Sequence, residues 1–339
     1  MTETILLTGG AGYVGSHTCI AVAEAGYRPL LLDDFSNAKR DVPQRLEQIM
    51  GQPVELVEGS VLDGAVLAQI FRQHKISAVI HFAGLKAVGE SVDIPLDYFH
   101  TNIGGMMSLL NAMRRAEVFR LVFSSSCTVY GNPETLPVTE DAPRSYTNPY
   151  GYTKLTCEQM MEQLAQADPR WQFGILRYFN PVGTHESGLI GEDPTGTPTN
   201  LMPLMAKVAT GSLNKLSVFG NDYDTPDGTA IRDYIHVSDL AEGHVQCLAA
   251  ESLAAPRSPL AVNLGTGTGY SVLDMIAAYA KACGKELPYE ITDRRAGDVP
   301  VTYADASAAK RLLGFNARRG LDEMCESSWR WINSPAAGL

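Results

Sequence analysis

The chain has 339 residues, 45% hydrophobic and 19% charged, which suits two globular lobes sharing a cleft and excludes a disordered or low-complexity chain. Its formal net charge of −11 repels polyphosphate at long range, so nucleic acid is not an expected partner, although a small phosphorylated ligand needs only local amides and a few arginines. No apolar run approaches the about 20 residues of a membrane span, and no basic, apolar leader precedes the first strand, so neither a membrane nor a signal peptide is expected. Cys19, Cys127, Cys157, Cys247, Cys283 and Cys325 form no CxxC and no zinc-finger spacing. They read as reduced thiols of a cytoplasmic protein, with no metal.

In chain order, short apolar runs predict strands at Thr4–Thr8, Pro29–Asp33, Val54–Glu58, Ala78–Ala83, Leu121–Ser125 and Phe173–Tyr178. Between them a helix runs to about Ala25, and Gly64–His74 and Ile103–Arg115 carry apolar residues at helical spacing. Near-continuous apolar strands alternating with helices predict a parallel sheet covered on both faces, and right-handed crossovers make it doubly wound. Past Asn180 the texture changes. Residues 181–232 are rich in Gly, Pro, Thr and Asp, with one helix near Leu201–Thr210; helices resume at Val237–Ala250, Val272–Cys283 and Leu321–Ile332. The expected α/β architecture is therefore a Rossmann-type domain over 1–180, with part of 230–265 returning to it, and a smaller C-terminal α/β substrate-binding lobe over 181–339.

The first turn carries Thr8-Gly9-Gly10-Ala11-Gly12-Tyr13-Val14-Gly15, fitting GxxGxxG through Gly9, Gly12 and Gly15 and GxGxxG through Gly10, Gly12 and Gly15. Such glycines let a backbone approach a pyrophosphate at a helix N-terminus, or make a plain strand–helix turn. The preceding strand, the following helix and Asp33 at the end of the second strand together favour dinucleotide binding. The Asp33 carboxylate suits ribose hydroxyls and repels a 2′-phosphate, so the expected cofactor is NAD, with Asp34 adding a second acid and Lys39 and Arg40 keeping NADP open. Phe82-Ala83-Gly84 at the end of the fourth strand reads as a flat cofactor-facing strand end or as a simple turn.

The chemistry is expected from Pro149-Tyr150-Gly151-Tyr152-Thr153-Lys154, where Tyr150 and Lys154 share a helical face. A free tyrosine titrates near 10, but a nearby ammonium and a cationic nicotinamide favour its phenolate and make it a general base. Alone, YxxxK is as well explained by an exposed aromatic and a solvated lysine. Ser124, Ser125 and Ser126, closing the fifth strand, supply a hydroxyl that can orient the reacting oxygen beside Tyr150. Tyr152 faces away from Lys154, and Cys127 lacks a basic sequence neighbour to make it a nucleophile.

Together these residues resemble the extended short-chain dehydrogenase/reductase superfamily, and within it the UDP-glucose 4-epimerases. The segments carrying the resemblance are TGGAGYVGSHT (8–18), HFAGLKAVGES (81–91), FSSSCTVYG (123–131), NPYGYTK (148–154), LRYFNPVG (176–183), LMP (201–203), RDYIHVSDLAEGH (232–244), NLGTGTGYSV (263–272) and RRAGDVP (294–300). The resemblance implies reversible C4 epimerisation of UDP-glucose and UDP-galactose through a 4-keto sugar with transient NAD reduction. It implies Tyr150, Lys154 and Ser126 as catalytic residues. Implied cofactor contacts are Gly9, Gly12, Tyr13, Val14 and Gly15; Asp33, Asp34, Phe35, Ser36, Asn37 and Ala38; Ser60 and Val61; Phe82, Ala83, Gly84, Leu85 and Lys86; and Thr101, Ser124, Tyr150, Lys154, Tyr178 and Phe179. Implied substrate contacts are Ser126, Asn180, Asn200, Leu201, Val218, Phe219, Arg232, Arg295, Asp298 and Thr302. A homodimer through helices near Ile94–Arg115 and Tyr152–Ala167 is also implied.

Nucleotide-sugar dehydratases of the superfamily carry acids just after the strand serines; here those positions are Cys127 and Thr128, so elimination lacks its catalyst. Ser60 stands where many relatives have an aspartate, Thr101 where an asparagine is usual, and Asp34 where an asparagine is common. Thr302 matches a site that is bulky in some relatives and small in others, and a small residue leaves room for the N-acetyl group of UDP-GlcNAc and UDP-GalNAc. Arg232 beside Asp233 is, without the resemblance, as readily a structural salt bridge. The glycines of NLGTGTGYSV shape a turn before a Ser271–Asp274 helix cap, and His236 and His244 read as structural. Two alternatives stand. A net nucleotide-sugar oxidoreductase would turn over external NAD, and a catalytically silent NAD sensor would need none of Ser126, Tyr150 and Lys154.

Overall fold

The computed structural model describes residues 2–193, 198–255, 257–295 and 298–337. Strands β1 (Thr4–Thr8), β2 (Arg28–Asp33), β3 (Glu55–Glu58) and β4 (Ile76–His81) alternate with helices α1 (Tyr13–Glu24), α2 (Val42–Met50) and α3 (Gly64–Gln73). Two short helices, α4 (Val88–Asp93) and α5 (Pro95–Tyr98), pass through a π-helical turn at Phe99–Gly104 into α6 (Gly105–Arg115). Then come β5 (Arg120–Ser126), α7 (Pro149–Ala167) and β6 (Gln172–Tyr178). The rest comprises β7 (Asn180–Val182), α8 (Leu201–Ala209), β8 (Leu216–Phe219), β9 (Ile231–His236), α9 (Val237–Ala249), β10 (Leu260–Leu264), β11 (Gly269–Ser271), α10 (Val272–Cys283), β12 (Tyr289–Thr292), β13 (Val301–Thr302), α11 (Ser307–Leu313) and α12 (Leu321–Ile332).

Seven parallel strands form the large sheet in the order β10-β6-β5-β4-β1-β2-β3. Successive strand residues face opposite sides, and here both sides are covered. Ile5 and Leu7 lie in the core on one face and Leu6 in the core on the other, all fully buried. Each such side chain contributes about 2 kcal/mol by leaving water. The strand order reverses between β1 and β4, which opens a crevice at their carboxyl ends. β4 ends sooner than its apolar run suggests, because the Phe82 and Ala83 amides both turn back to the Thr8 carbonyl.

The second lobe has its own core, with Met202, Met205, Val218, Tyr279 and Met324 buried together. Its sheets are small: β9 joins β7, β11 and β13, and β12 pairs with β8. Ser271 and Asp274 form the reciprocal cap expected of them at the start of α10. After β9 the chain returns to the large sheet, where α9 packs on α1 and β10 pairs with β6.

Candidate active site

The glycine loop leaves β1 at the crevice. Gly9 has φ +69°, and a Cβ there would sit 2.7 Å from the Ala83 amide nitrogen. A Cβ on Gly15 would lie 2.2 Å from the Gly9 carbonyl oxygen, so α1 packs on the loop only through glycine. Gly12 differs. Its Cβ would meet only the Gly9 carbonyl, at 3.2 Å, and otherwise open space. That space lies at the N-terminus of α1, whose first turn carries no acid, and it fits a pyrophosphate. Asp33 braces the loop from β2, accepting from the Ala11 amide (2.9 Å) and the Phe35 amide (2.9 Å). Burial raises its pKa and these amides oppose the rise. Phe35 is held at φ 55°, and Asp34 caps the Ser36 amide at 3.0 Å. Asn37 and Ala38 line the same cavity as Gly12 and Tyr13. On the far side Ser60 accepts from the Leu62 amide (3.3 Å), while Val61 packs into the core.

The segment Phe82–Lys86 closes the other wall. Asn102 holds it, accepting from the Leu85 amide at 2.8 Å and donating to the Leu85 carbonyl at 3.0 Å and to Thr153 at 3.0 Å. Thr101, the expected cofactor contact, precedes Asn102 in the same π-helical turn.

Residues 183–193 pass over the glycine loop as a strap. The Tyr13 hydroxyl donates to the Gly183 carbonyl (2.6 Å). The His17 Nε2 accepts from the His185 amide (3.0 Å), and its Nδ1 meets the Tyr13 carbonyl (2.7 Å). Lys86 pairs with Glu192 at 2.9 Å, and Asn200 donates to the same carboxylate oxygen at 2.7 Å.

Helix α7 presents the chemistry. Asn148 caps it through the Gly151 amide (2.8 Å), Pro149 opens it, and Gly151 approaches the turn at Cys127–Val129 so closely that a Cβ would lie 3.1 Å from the Thr128 carbonyl. Tyr150 and Lys154 share the inner face, with Lys154 Nζ 5.7 Å from the Tyr150 ring centre and 4.8 Å from that of Phe123. Lys154 donates to the Ser124 carbonyl at 2.6 Å. Ser126 accepts from the Thr128 amide (3.2 Å) and hydroxyl (3.0 Å). Tyr178 bonds to His244, both buried, and Phe179 joins a small core beside this turn. Tyr152 meets the Phe99 and Tyr146 rings edge-on.

Burial pushes Tyr150 up to about 12, although the Ser126 hydroxyl favours the ionised phenol. Burial pulls Lys154 down to about 8, while Cys157 and Glu158 draw it back up. In the protein alone desolvation outweighs the Ser126 hydrogen bond, and Tyr150 stays a phenol at neutral pH. Burial also pushes the Cys127 thiol up to about 11, far from a thiolate nucleophile.

Behind the site lies a network the motifs did not reveal. Glu158, fully buried one turn after Lys154, accepts from Ser125 (2.5 Å), Arg177 (2.8 and 3.1 Å) and Arg144 (3.2 Å). It locks α7 to β5 and β6.

In the second lobe Arg232 does not pair with Asp233. Asp233 is occupied by the Thr266, Gly267 and Ala304 amides, and Arg232 reaches, among the described residues, main-chain carbonyls of Ile231 and Pro300. Arg295 lies 4.7 Å over the Phe219 ring and pairs with Asp298 at 3.0 Å. Leu201 starts α8 beside Asn200, and Asn180 starts β7. The Val218 side chain is buried in the lobe's core, which leaves its backbone for a ligand contact. Thr302 is buried and pairs in register with Arg232 across β13 and β9.

The family described as "NAD dependent epimerase/dehydratase family" matches residues 5–265. The UDP-glucose 4-epimerase of Bacillus subtilis (strain 168) is 54% identical over 334 residues, 98% of each chain. The chain belongs to the UDP-glucose 4-epimerase family. Two solved structures resemble it over nearly their full lengths. The UDP-glucose 4-epimerase of Bifidobacterium longum, in complex with NAD+ and UDP, has TM-score 0.95 and 48% identity, covering 99% of this chain and 100% of that one. That of Stenotrophomonas maltophila, with bound NAD and formylated UDP-arabinopyranose, has TM-score 0.94 and 47% identity, covering 97% and 98%. Within this epimerase family framework, the contacts of Asn102, Thr128, Glu158 and Glu192 are what sequence reasoning missed. Thr128 had a signal in the quoted FSSSCTVYG segment, and Asn102 in standing next to Thr101, where an asparagine is usual.

Proposed function

We propose that the chain interconverts UDP-glucose and UDP-galactose by oxidising and re-reducing C4 of the bound sugar, with NAD as resident cofactor. The observation that carries this reading is the meeting of Tyr150, Lys154 and Ser126 at the carboxyl end of β5, beside a glycine loop open at Gly12. NAD, when bound, supplies the hydride acceptor and later the donor.

The chain's own residues do the rest. Ser126 orients the C4 hydroxyl, and Tyr150 takes its proton as hydride leaves C4. Tyr150 needs added positive charge beside it to act as a base, because burial holds it near 12. Arg232 and Arg295 suit the diphosphate, since a guanidinium makes paired charge-assisted bonds. With the nucleotide gripped, the flat 4-keto sugar turns about its phosphate linkage. Hydride returns to its other face and Tyr150 returns the proton, so nothing is oxidised overall. Cys127 and Thr128 supply no carboxyl to expel water, which argues against dehydration. In this reading residues 1–180 with the returning α9 and β10 hold the cofactor, and the remainder of 181–339 holds the nucleotide sugar.

The test is to incubate purified protein with UDP-galactose, without added NAD, and resolve the products. UDP-glucose is expected. A requirement for stoichiometric external NAD, or a released keto sugar, overturns the reading.

Thr302, a small side chain whose buried hydroxyl has no hydrogen-bond partner among the described residues, supports acceptance of UDP-GlcNAc and UDP-GalNAc as well. A second copy of the chain is proposed on the face of α4–α7, where Val92, Leu96, Met107 and Tyr146 are each at least half exposed. Sedimentation equilibrium is expected to give a dimer that Leu96→Asp weakens; a monomeric parent protein rejects it. Among the described residues no helix is long and apolar enough to cross a membrane. Six free cysteines support a cytoplasmic location.

A further inference from the structure

The Ser126 hydroxyl is approached twice by one residue. Thr128 gives it a backbone N–H at 3.2 Å and a side-chain O–H at 3.0 Å. A serine hydroxyl has one proton and two acceptor lone pairs. Both acceptor positions are therefore filled from the Thr128 side. The single Ser126 proton is left for a partner elsewhere, and the Tyr150 phenol is the group it faces.

Capping the Cys127–Val129 turn accounts for the first bond and leaves the second unexplained, because a cap needs only the amide. The turn itself is rigid. Val129 is fully buried, the Tyr130 hydroxyl donates to Asn263 and accepts from Arg177, and Gly151 of α7 rests against the Thr128 backbone. Thr128 thus stands on a fixed platform between the strand bearing Ser126 and the helix bearing Tyr150.

We propose that Thr128 is a positioning residue of the epimerisation: by donating to Ser126 it fixes that hydroxyl as a one-way donor, its single proton directed to the Tyr150 oxygen. This rests on the reading of Tyr150 and Ser126 given above. Without the Thr128 hydroxyl, Ser126 regains a free lone pair and can rotate its proton away from the reaction. The phenolate then loses part of its stabilisation, and the base becomes harder to ionise.

The test compares Thr128→Val, Thr128→Ala and Thr128→Ser as holoenzymes with UDP-galactose. Valine and alanine are expected to lower kcat about tenfold, the weight of one hydrogen bond, with KM changed less than about twofold. The acidic limb of the kcat–pH profile should move to higher pH in both. Serine, which keeps the hydroxyl, should restore kcat to within about threefold and return the limb to its place. Two hydroxyl-free variants of different bulk keep the comparison readable if one folds poorly, as judged by bound NAD. Unchanged kcat and an unmoved limb in the hydroxyl-free variants overturn the inference, as does a serine variant no better than alanine. Tyr150→Phe is assayed in parallel. If it stays active, the underlying reading fails; if it is inactive while the Thr128 variants are unaffected, only this inference fails.

Discussion

Lys154 donates a 2.6 Å hydrogen bond from Nζ to the main-chain carbonyl of Ser124, stitching α7 to the last turn of β5. The bond satisfies a carbonyl at the sheet's carboxyl end and places an ammonium beside the Tyr150 ring. Lys154→Ala leaves that carbonyl without its donor and removes the charge, so kcat should fall at least about a hundredfold. Lys154→Arg should not rescue it, because a planar guanidinium cannot replace a compact buried ammonium. Steady-state rates of the two variants check this; an active arginine enzyme contradicts it.

The raised pKa of Tyr150 has a spectroscopic consequence. Cofactor-free protein at pH 8 should hold Tyr150 as a phenol, since burial sets its pKa near 12. Adding NAD+ brings a positive charge, lowers that pKa and should increase phenolate absorbance near 295 nm. Tyr150→Phe should lack the increment. An equal increment in the variant shows that other tyrosines respond.

The strap predicts how firmly the cofactor is kept. Lys86 and Glu192 meet across the mouth of the dinucleotide crevice, Glu192 mostly buried and Lys86 half exposed. Screening limits such a pair to about 1 kcal/mol. Glu192→Gln should therefore speed NAD release about fivefold, read as cofactor remaining after timed gel filtration. An unchanged release rate removes the strap from cofactor retention.

Four buried histidines set an acid limit on the fold. Burial lowers His17, His81 and His236 to about 3 and His244 to about 4. Each stays neutral in the folded protein while its unfolded counterpart protonates below about 6.5. The unfolded chain then binds more protons, so stability falls as pH drops from about 6.5 toward 4. Each histidine contributes up to about 1.4 kcal/mol per pH unit in that window. Thermal midpoints at pH 7.5, 6 and 5 should decline steadily below 6.5; a flat profile contradicts the assignment.

Thr302 is tested by enlarging it. Thr302→Tyr should cut the rate on UDP-GlcNAc at least about tenfold, a steric loss of one to three kcal/mol, and spare UDP-galactose. If the two rates change together, Thr302 does not select the 2-substituent.

What the sequence disclosed was what chain-local spacing encodes. The strand–glycine–helix unit and the Tyr150–Lys154 pair depend on neighbours a few residues apart, and both are where the pattern puts them. Contacts between distant segments were silent: Lys86 and Glu192 are 106 residues apart, and nothing near either names the other. Which face of β8 is buried was not legible, because four residues are too few for alternation to tell it. Asn102 sits in a π-helical turn that no periodicity of 3.6 anticipates, and its bonds to Leu85 and Thr153 join segments distant in sequence. Burial raises the Tyr150 pKa in the protein alone, and depth of burial is not readable in a motif.

The large sheet ends at β10, which follows β7, α8, β8 and β9 in sequence. During synthesis six of its strands emerge by Tyr178, but the seventh does not exist until Leu264 has been made. The edge of β6 is meanwhile an unpaired row of amides and carbonyls. The nascent cofactor lobe must therefore wait, with one side open, while the segments of the other lobe are delivered. A chain cut between the lobes would inherit that open edge, so truncation at residue 180 should yield an aggregating fragment and not a minimal NAD-binding domain.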